Sequence, residues 1–585
     1  MLDQELICHH AQYPWLFTDE TLSCRIMIAL PKGQVRRAVI KYGDPFDFLP
    51  GTVKQPDLKQ ARMVLERSEG KQDFFIIRVK PFTHKLRYHF QLETGDRIYW
   101  YAENGVLLHE DEMLLRPFLV PYLYKKAQYC PPDWTGLSLW YQIFPDRFFD
   151  SRQRLDPSVF VPDRSNFFGG DIRGILSKLP YLQEMGVTGV YMTPVFESTS
   201  NHRYDTKDYM RVDPALGTEE DLAALCNALH ERNMKCMLDG VYNHAGWACT
   251  MWQDVLNRGE QSPYRDWFYI YDMKRTQAYS LDELTSEVMK HDPPYEAFAF
   301  AANMPKWNTE NKAVQNYLIG SAEKWTKRLH IDGWRLDVPD EVSMDFLRAF
   351  RKRIKEINPE IYITGEIWNN PGRWLQGDTF DGAMNYTLYF IMRDFALLGM
   401  EDAYGLVSRM NRYLLDTPPA VRKNMLNFMG NHDLPRPLTL AKGETNAVLG
   451  ALLLLVMQEG ELCLYYGDEA AMSGGPDPDN RRPMTWQDTG VAMKMRNAMQ
   501  SLVRLRREFH GFEGGNQSWQ ALAPTLVKCT WQKDGCTLIA YVNNGDFAVS
   551  APIQMKIEIL FGNSRLEGDK LLLPPHEAAL IRETA

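Results

Sequence analysis

The chain has 585 residues, 45% of them apolar and 24% charged, and a formal net charge of −9. That length exceeds one ordinary domain and the composition is that of a globular protein, so three or four structural units are expected. The mildly acidic balance argues against a nucleic-acid partner, which would usually leave a basic stripe. The longest apolar run, Val448–Met457, is too short to cross a bilayer. The start, MLDQELICHH, lacks the basic head and apolar stretch of a signal peptide, so a cytoplasmic location is expected. Nine cysteines without a CxxC spacing argue against a disulfide framework or a zinc knuckle.

Residues 1–122 read as a β-sandwich. CRIMIALPKG, VRRAVIKYGD, QDFFIIRVK, RYHFQLETGD and RIYWYAENG alternate apolar and polar positions and end in Gly, Pro, Asp or Asn. Tyr13, Trp15, Phe17, Phe46 and Phe48 fall in turn-rich segments and are expected at the surface.

Over 123–504, short apolar strands alternate with helical stretches. The strand candidates are LSLWYQIF, VTGVYMTPVF, KCMLDGVYNH, IDGWRLDV, IYITGEIW, FDGAMNY, MLNFMGNHD and LCLYYGDE. Eight strand–helix repeats in this length imply a closed parallel (β/α)8 barrel, an α/β fold. The long gap after the third strand, about residues 245–300, reads as a subdomain inserted in a βα loop. Barrel loops of that kind carry the active site. From 505 to 585 the pattern returns to strands and implies a C-terminal β-sandwich. The chain lacks GxGxxG, a P-loop and HExxH, which leaves nucleotide and zinc-protease readings without support.

Four barrel strands end in charged or hydrogen-bonding residues: the third in Asp239–His244, the fourth in Arg335 and Asp337, the fifth in Glu366, the seventh in His432 and Asp433. A single such carboxylate is as well explained by a structural ion pair. Four together would bury several charges at one barrel end, which costs several kcal/mol per unpaired ion, so function is the better explanation. Retaining glycoside hydrolysis needs an ionised carboxylate and a protonated one about 5–5.5 Å apart. Neighbouring strands lie about 4.8 Å apart, so Asp337 and Glu366 suit that task. Arg335, two residues before Asp337, is expected to hold Asp337 ionised. Ile363, Ile367 and Trp368 are expected to give Glu366 an apolar setting. Asp433, His432 and His244 are then placed to hold sugar hydroxyls.

The set DGVYNH, GWRLDV, GEIW and FMGNHD, in that order along the chain, resembles the four signature regions of the α-amylase family, glycoside hydrolase family 13. The resemblance implies Asp337 as nucleophile, Glu366 as general acid/base and Asp433 as transition-state stabiliser. It implies sugar contacts from His244, Arg335 and His432, with Asp239 and Asn243 in support. Tyr204 and Asp205 in HRYDTKDY match the family's loop after the second strand, and Trp368 lies beside the acid. The finer likeness is to the cyclomaltodextrinase, neopullulanase and maltogenic amylase group. MPKWNTEN (304–311) resembles that group's MPKLN motif, departing at Trp307. GGPDPDNRRPMTW (474–486) would place Asp477 and Arg481 at a distal sugar subsite. Glu341 matches a position linked to transglycosylation. The likeness further implies cyclodextrins, maltodextrins and pullulan as substrates, and a homodimer formed through the N-terminal domain.

Members of the family often bind calcium. GGD is present as Gly169, Gly170 and Asp171, and Asp150 and Asp156 lie nearby, but FDSRQRLDP carries Arg152 and Arg154 where oxygen ligands belong. The expectation is that no cofactor is required, with Asp150, Asp156, Gly169 and Asp171 as the residues a calcium ion would use. Two alternatives differ in class. An amylase-like binding protein would lack one of the three carboxylates, and all are present. An α-glucosidase acting on short α-1,6 or α-1,4 glucosides would usually lack the extra N-terminal domain.

Overall fold

The computed structural model describes residues 2–49, 56–110, 114–124, 129–152, 161 and 163–584. Asp156 and Arg154 lie outside these. The chain forms two compact units.

One unit comprises residues 1–130 with two later segments, 370–378 and 404–422. Its first part is a sandwich of two antiparallel sheets. The first sheet orders Leu16–Thr18, Cys24–Pro31, Gln72–Val79 and Val64–Glu69; the second orders Lys59–Arg62, Arg37–Gly43, Leu86–Glu93, Ile98–Ala102 and Gly105–Leu107. Inward-facing Ile26, Ile28, Leu30, Ile40, Tyr88, Phe90 and Leu92 fill the space between the sheets. On the outer face of the first sheet, Met27, Ala29 and Phe74 pack on Leu415, with Trp15 alongside. The expected surface exposure of Tyr13, Trp15 and Phe17 is therefore corrected. Phe17 is buried against Tyr129, and Trp15 stacks on Phe74. The Tyr13 ring lies where a Cβ on Gly372 would sit, 2.3 Å away, so only glycine fits there. Turn residues around these rings suggested exposure, but Gly372 and Leu415 of the later segments cover Tyr13 and Trp15, and Tyr129 covers Phe17. Phe46, at 74% exposure, and Phe48 do lie at the surface.

The other unit carries the barrel and the C-terminal strands. Eight parallel strands, Leu139–Ile143, Gly189–Met192, Lys235–Gly240, Gly333–Leu336, Tyr362–Gly365, Gly382–Ala383, Leu426–Phe428 and Glu461–Tyr465, pair in the spatial order 6-5-4-3-2-1-8-7. Met384 bridges Leu426 in parallel and Asn385 N donates to Leu426 O at 2.8 Å, bringing the sixth strand to the seventh. These are the eight segments expected from sequence. They read as unbroken apolar runs because strands of a barrel are covered on both faces. The approach of the sixth strand needs Gly382, where a Cβ would stand 1.9 Å from Asn424 O. Trp140, Tyr191, Met237, Tyr362, Met384, Leu426 and Phe428 fill the interior.

The loop after the third strand holds helices Thr250–Arg258, Met273–Ala278 and Ser286–His291. It returns through bridges pairing His244 with Lys306 and Phe268 with Trp307. Trp307, the departure from the group's motif, is a core residue. Its ring stacks on Phe268 at 4.5 Å and its indole N–H donates to Tyr209 Oη at 3.0 Å. The last 70 residues form a five-stranded sheet and a three-stranded sheet around Leu526, Tyr541, Leu571, Leu573 and Ile581. No helix among the described residues is long and apolar enough to cross a membrane. All nine cysteines are free thiols.

Candidate active site

The fourth and fifth barrel strands pair with Leu336 opposite Gly365, so Asp337 and Glu366 are the next residues on each, at the same level of the barrel. Their backbone nitrogens still donate to the preceding strand, Asp337 to Gly240 O and Glu366 to Leu336 O, each at 3.0 Å. The two carboxylates thus leave adjacent strands from fixed backbone, with the strand spacing of about 4.8 Å between them.

Arg335 joins them. Its side chain is wholly buried; Nη1 lies 2.9 Å from Asp239 Oδ1 and 2.8 Å from Asp337 Oδ1, and Nη2 lies 2.7 Å from Glu366 Oε2. Three carboxylates therefore share one guanidinium. A buried cluster with two uncompensated negative charges favours taking up a proton. The direction at Asp337 reverses the expectation from sequence. Burial pushes its carboxyl well above the usual carboxylate range, Arg335 pulls it down, and Glu366, Asp239 and Asp433 push it up again. A guanidinium shared three ways does not offset burial plus three neighbouring acids. Burial likewise raises Asp239 to about 6 against the pull of Arg335.

The apolar setting expected for Glu366 is also corrected. Trp368 Nε1 donates to Oε1 at 3.0 Å, Tyr386 Oη donates to the same oxygen at 3.3 Å, and Val338 N donates to Oε2 at 3.3 Å. Trp368 stacks on Tyr386 at 4.2 Å and remains 40% exposed, a flat ring at the rim of the acid. Ile367 is buried.

The remaining expected residues fall in three groups. Tyr204, His432, Asp433, Arg481 and Asp477 are linked on one side. Tyr204 Oη donates to Asp239 Oδ2 at 3.0 Å and lies 2.5 Å from His432 Nε2, with the two rings parallel. Arg481 Nη2 donates to Asp433 Oδ1 at 3.1 Å, its Nε donates to His432 O at 2.7 Å, and Nη1 pairs with Asp477 at 3.1 Å. Asp477 also pairs with Arg164. Burial pushes His432 well below the usual imidazole range, and Arg481 and Arg335 push the same way, so the ring is neutral.

On another side, His244 stacks on Phe298 at 4.8 Å, and burial pushes it down to about 3. Next to it Lys306 Nζ donates to Asn243 Oδ1 at 3.0 Å and to Glu341 Oε2 at 2.8 Å. Glu341 is partly exposed at the rim. Asp205, by contrast, is turned into its own loop. Ser198 donates to it at 2.6 Å, and Thr199 and Ser200 donate to it as well.

The third group is the loop of the possible calcium ligands. Both oxygens of Asp171 accept from protein donors, Ser151 Oγ at 2.6 Å and Gly174 N at 2.6 Å, the latter as the cap of helix Ile172–Ser177. Gly169 N donates to Asp146, which also pairs with Arg147 at 3.1 Å. Asp150 Oδ1 accepts from Arg152 N. A hard cation needs free carboxylate or carbonyl oxygens, and these carboxylates are turned to N–H and O–H donors. The described residues here do not fit a calcium ion.

Sequence reasoning passed over Gln142, Tyr191, Lys306, Tyr386 and Asn431, all of which touch the residues above. Tyr191 donates to Asp239 at 2.8 Å and Asn431 Nδ2 donates to Tyr386 Oη at 3.0 Å. The available signal was a hydrogen-bonding side chain inside a fully buried strand or strand end, as in LWYQI and FDGAMNY.

A buried acid pair at the C-terminal ends of adjacent barrel strands has the placement that retaining glycoside hydrolysis requires. The family description "Alpha amylase, catalytic domain" matches residues 142–509, and "Alpha amylase, N-terminal ig-like domain" matches residues 1–124. The chain belongs to the α-amylase family and is a glycoside hydrolase. It is similar to a cyclomaltodextrinase of Geobacillus thermopakistaniensis, 34% identical over 94% of this chain and 92% of the relative. It is also similar to an intracellular maltogenic amylase of Bacillus subtilis, 35% identical over 89% of this chain and 88% of the relative. A solved cyclomaltodextrinase structure superposes with a TM-score of 0.88 at 30% identity, over 100% of both chains.

Proposed function

We propose that the enzyme cleaves α-1,4-glucosidic bonds of cyclodextrins, maltodextrins and pullulan with retention, by double displacement. The observation that carries the reading is the placement of Asp337 and Glu366 on paired strand ends, tied by one guanidinium. In the reactive state the one proton that the acid cluster takes up rests on Glu366: Asp337, as its carboxylate, attacks the anomeric carbon while the Glu366 carboxyl gives that proton to the leaving glycosidic oxygen. Glu366, now ionised, takes a proton from water, and that water displaces Asp337 from the sugar. A sugar hydroxyl in place of water gives transfer instead of hydrolysis. Asp433, held by Arg481 and beside His432, stabilises the positive charge that develops at the anomeric carbon. The site works with protein groups alone, and no metal is required.

The neutral rings of His244 and His432, with Tyr204 between them and the acids, suit hydrogen bonding to an uncharged sugar. The cyclodextrin-acting name of the relatives supports the substrate class, and the intracellular name of one supports a cytoplasmic location. A homodimer formed through the N-terminal domain, where Phe46 and Phe48 are exposed, belongs to the same proposal. Product profiles from β-cyclodextrin, pullulan and soluble starch under matched conditions test the substrate reading. Faster turnover of cyclodextrin than of starch, with panose from pullulan, is expected; efficient starch liquefaction with little action on cyclodextrin contradicts it. Sedimentation at micromolar concentration should find a dimer, and a monomer there sinks that part.

A further inference from the structure

Gln142 lies in the first barrel strand between Tyr141 and Ile143, 1% exposed, in a run that is otherwise buried core. Its side-chain nitrogen stands 2.9 Å from Nδ1 of His432. An amide nitrogen only donates, so Nδ1 must be bare there. The contacts at the opposite end of the ring agree with this. Tyr204 has one hydroxyl proton, and it is directed to Asp239 Oδ2 at 3.0 Å, an oxygen that also accepts from Tyr191 and Arg335. The 2.5 Å contact between Tyr204 Oη and His432 Nε2 then needs its proton from Nε2. Turning the amide of Gln142 over would put a proton on Nδ1 and leave Nε2 and Tyr204 to share one proton between three acceptors. The neutral ring faces Tyr204, Asp433 at 3.2 Å and the Phe144 ring, with Arg481, Arg335, Glu366 and His202 acting on it through space.

We infer that Gln142 is a positioning residue that fixes His432 as the Nε2–H tautomer, so that the ring offers a donor, not an acceptor, to Asp433 and Tyr204. Buried from the sugar, Gln142 acts only through that ring. The inference rests on the reading of Asp433 as a participant in the reaction.

Gln142→Glu tests it. The introduced carboxylate accepts only, so it calls for a proton on Nδ1 and removes the Nε2 donor. At neutral pH, kcat on maltotriose should fall about 10- to 100-fold, the effect of one hydrogen bond to a charged group. As pH falls and the introduced carboxyl takes a proton, its O–H donates to Nδ1 and the native tautomer returns. The ratio of variant to wild-type kcat therefore rises towards acid. Gln142→Met, of similar length and without an acceptor, should lose less and show a ratio that is flat with pH. A pH-independent ratio for Gln142→Glu, or a larger loss in Gln142→Met, overturns the inference. Nitrogen-15 spectra of the native enzyme with ring-labelled histidine read the tautomer directly, with His432 assigned by its absence in His432→Asn. A bare Nδ1 is expected, and a protonated Nδ1 overturns the inference even if neither Gln142 variant folds. Wild-type turnover in Asp433→Asn would instead defeat the reading of Asp433, leaving the tautomer untouched.

Discussion

Arg335→Lys probes the electrostatics of the site most sharply, because it keeps the charge and removes the fork. The guanidinium reaches Asp239 at 2.9 Å and Asp337 at 2.8 Å through Nη1, and Glu366 at 2.7 Å through Nη2. An ammonium is a single point and cannot serve three carboxylates from one strand position. At least one charge-assisted contact is lost, worth about 1.5–3 kcal/mol. That corresponds to roughly one to two pKa units on the carboxylate that loses it. Burial already pushes Asp337 up and Arg335 is the leading opposing influence, so its pKa rises further. A nucleophile that protonates sooner as pH falls moves the acid limb of kcat/KM to higher pH. The expected shift is about one unit, with a plateau about 10²-fold lower. Initial rates on maltotriose across the pH range, with a melting curve to show that the variant is folded, measure both. An acid limb within about 0.3 units of wild type would show that Arg335 does not set the ionisation of Asp337.

Asp337→Asn and Glu366→Gln should each remove nearly all hydrolysis with the fold intact; retention of more than about a tenth of kcat, a loss under about 1.4 kcal/mol, contradicts the role of that residue. Glu461, buried beneath the barrel and accepting from Gly136 N and Trp140 Nε1, is pushed up to about 7 by burial. The native state thus holds this proton more tightly than the unfolded chain, and stability contributed below about pH 4.5 is lost as pH rises through 7. Glu461→Gln should flatten this part of the profile, by up to about 3 kcal/mol, and equal changes in urea midpoint for both proteins between acid and neutral pH count against it. Because Asp171 and Asp146 are turned to protein donors, EDTA should leave Tm and activity unchanged. A fall of more than about 5 °C that calcium reverses would show a bound ion stabilising the native state.

Much of the architecture was legible because barrel strands announce themselves. LWYQI, GVYM, YITG and ELCLY are short buried runs between helical stretches, and all eight segments became strands. The acids were legible for the same reason, since a charge directly after such a run has few structural explanations. What escaped depends on contacts distant in sequence. Tyr13, Trp15 and Phe17 looked exposed because the residues that cover them, Gly372, Leu415 and Tyr129 among them, are distant in sequence. The net effect on Asp337 could not be read from Arg335 alone. It depends on Asp239, Glu366 and Asp433 converging from three other strands. Tyr386 and Asn431 reach each other only because the sixth and seventh strands come together at Met384 and Leu426.

The most direct test of the central claim is to trap the covalent intermediate. Incubation with a 5-fluoro-α-glycosyl fluoride, whose ring fluorine slows both oxocarbenium-like steps while its fluoride leaving group keeps formation of the glycosyl-enzyme ahead of its breakdown, followed by mass analysis of the peptic digest, locates the nucleophile. The account predicts one added sugar on the peptide that contains GWRLDV, at Asp337. A label on another carboxylate, or turnover that releases product of inverted configuration with no labelled peptide, would contradict it.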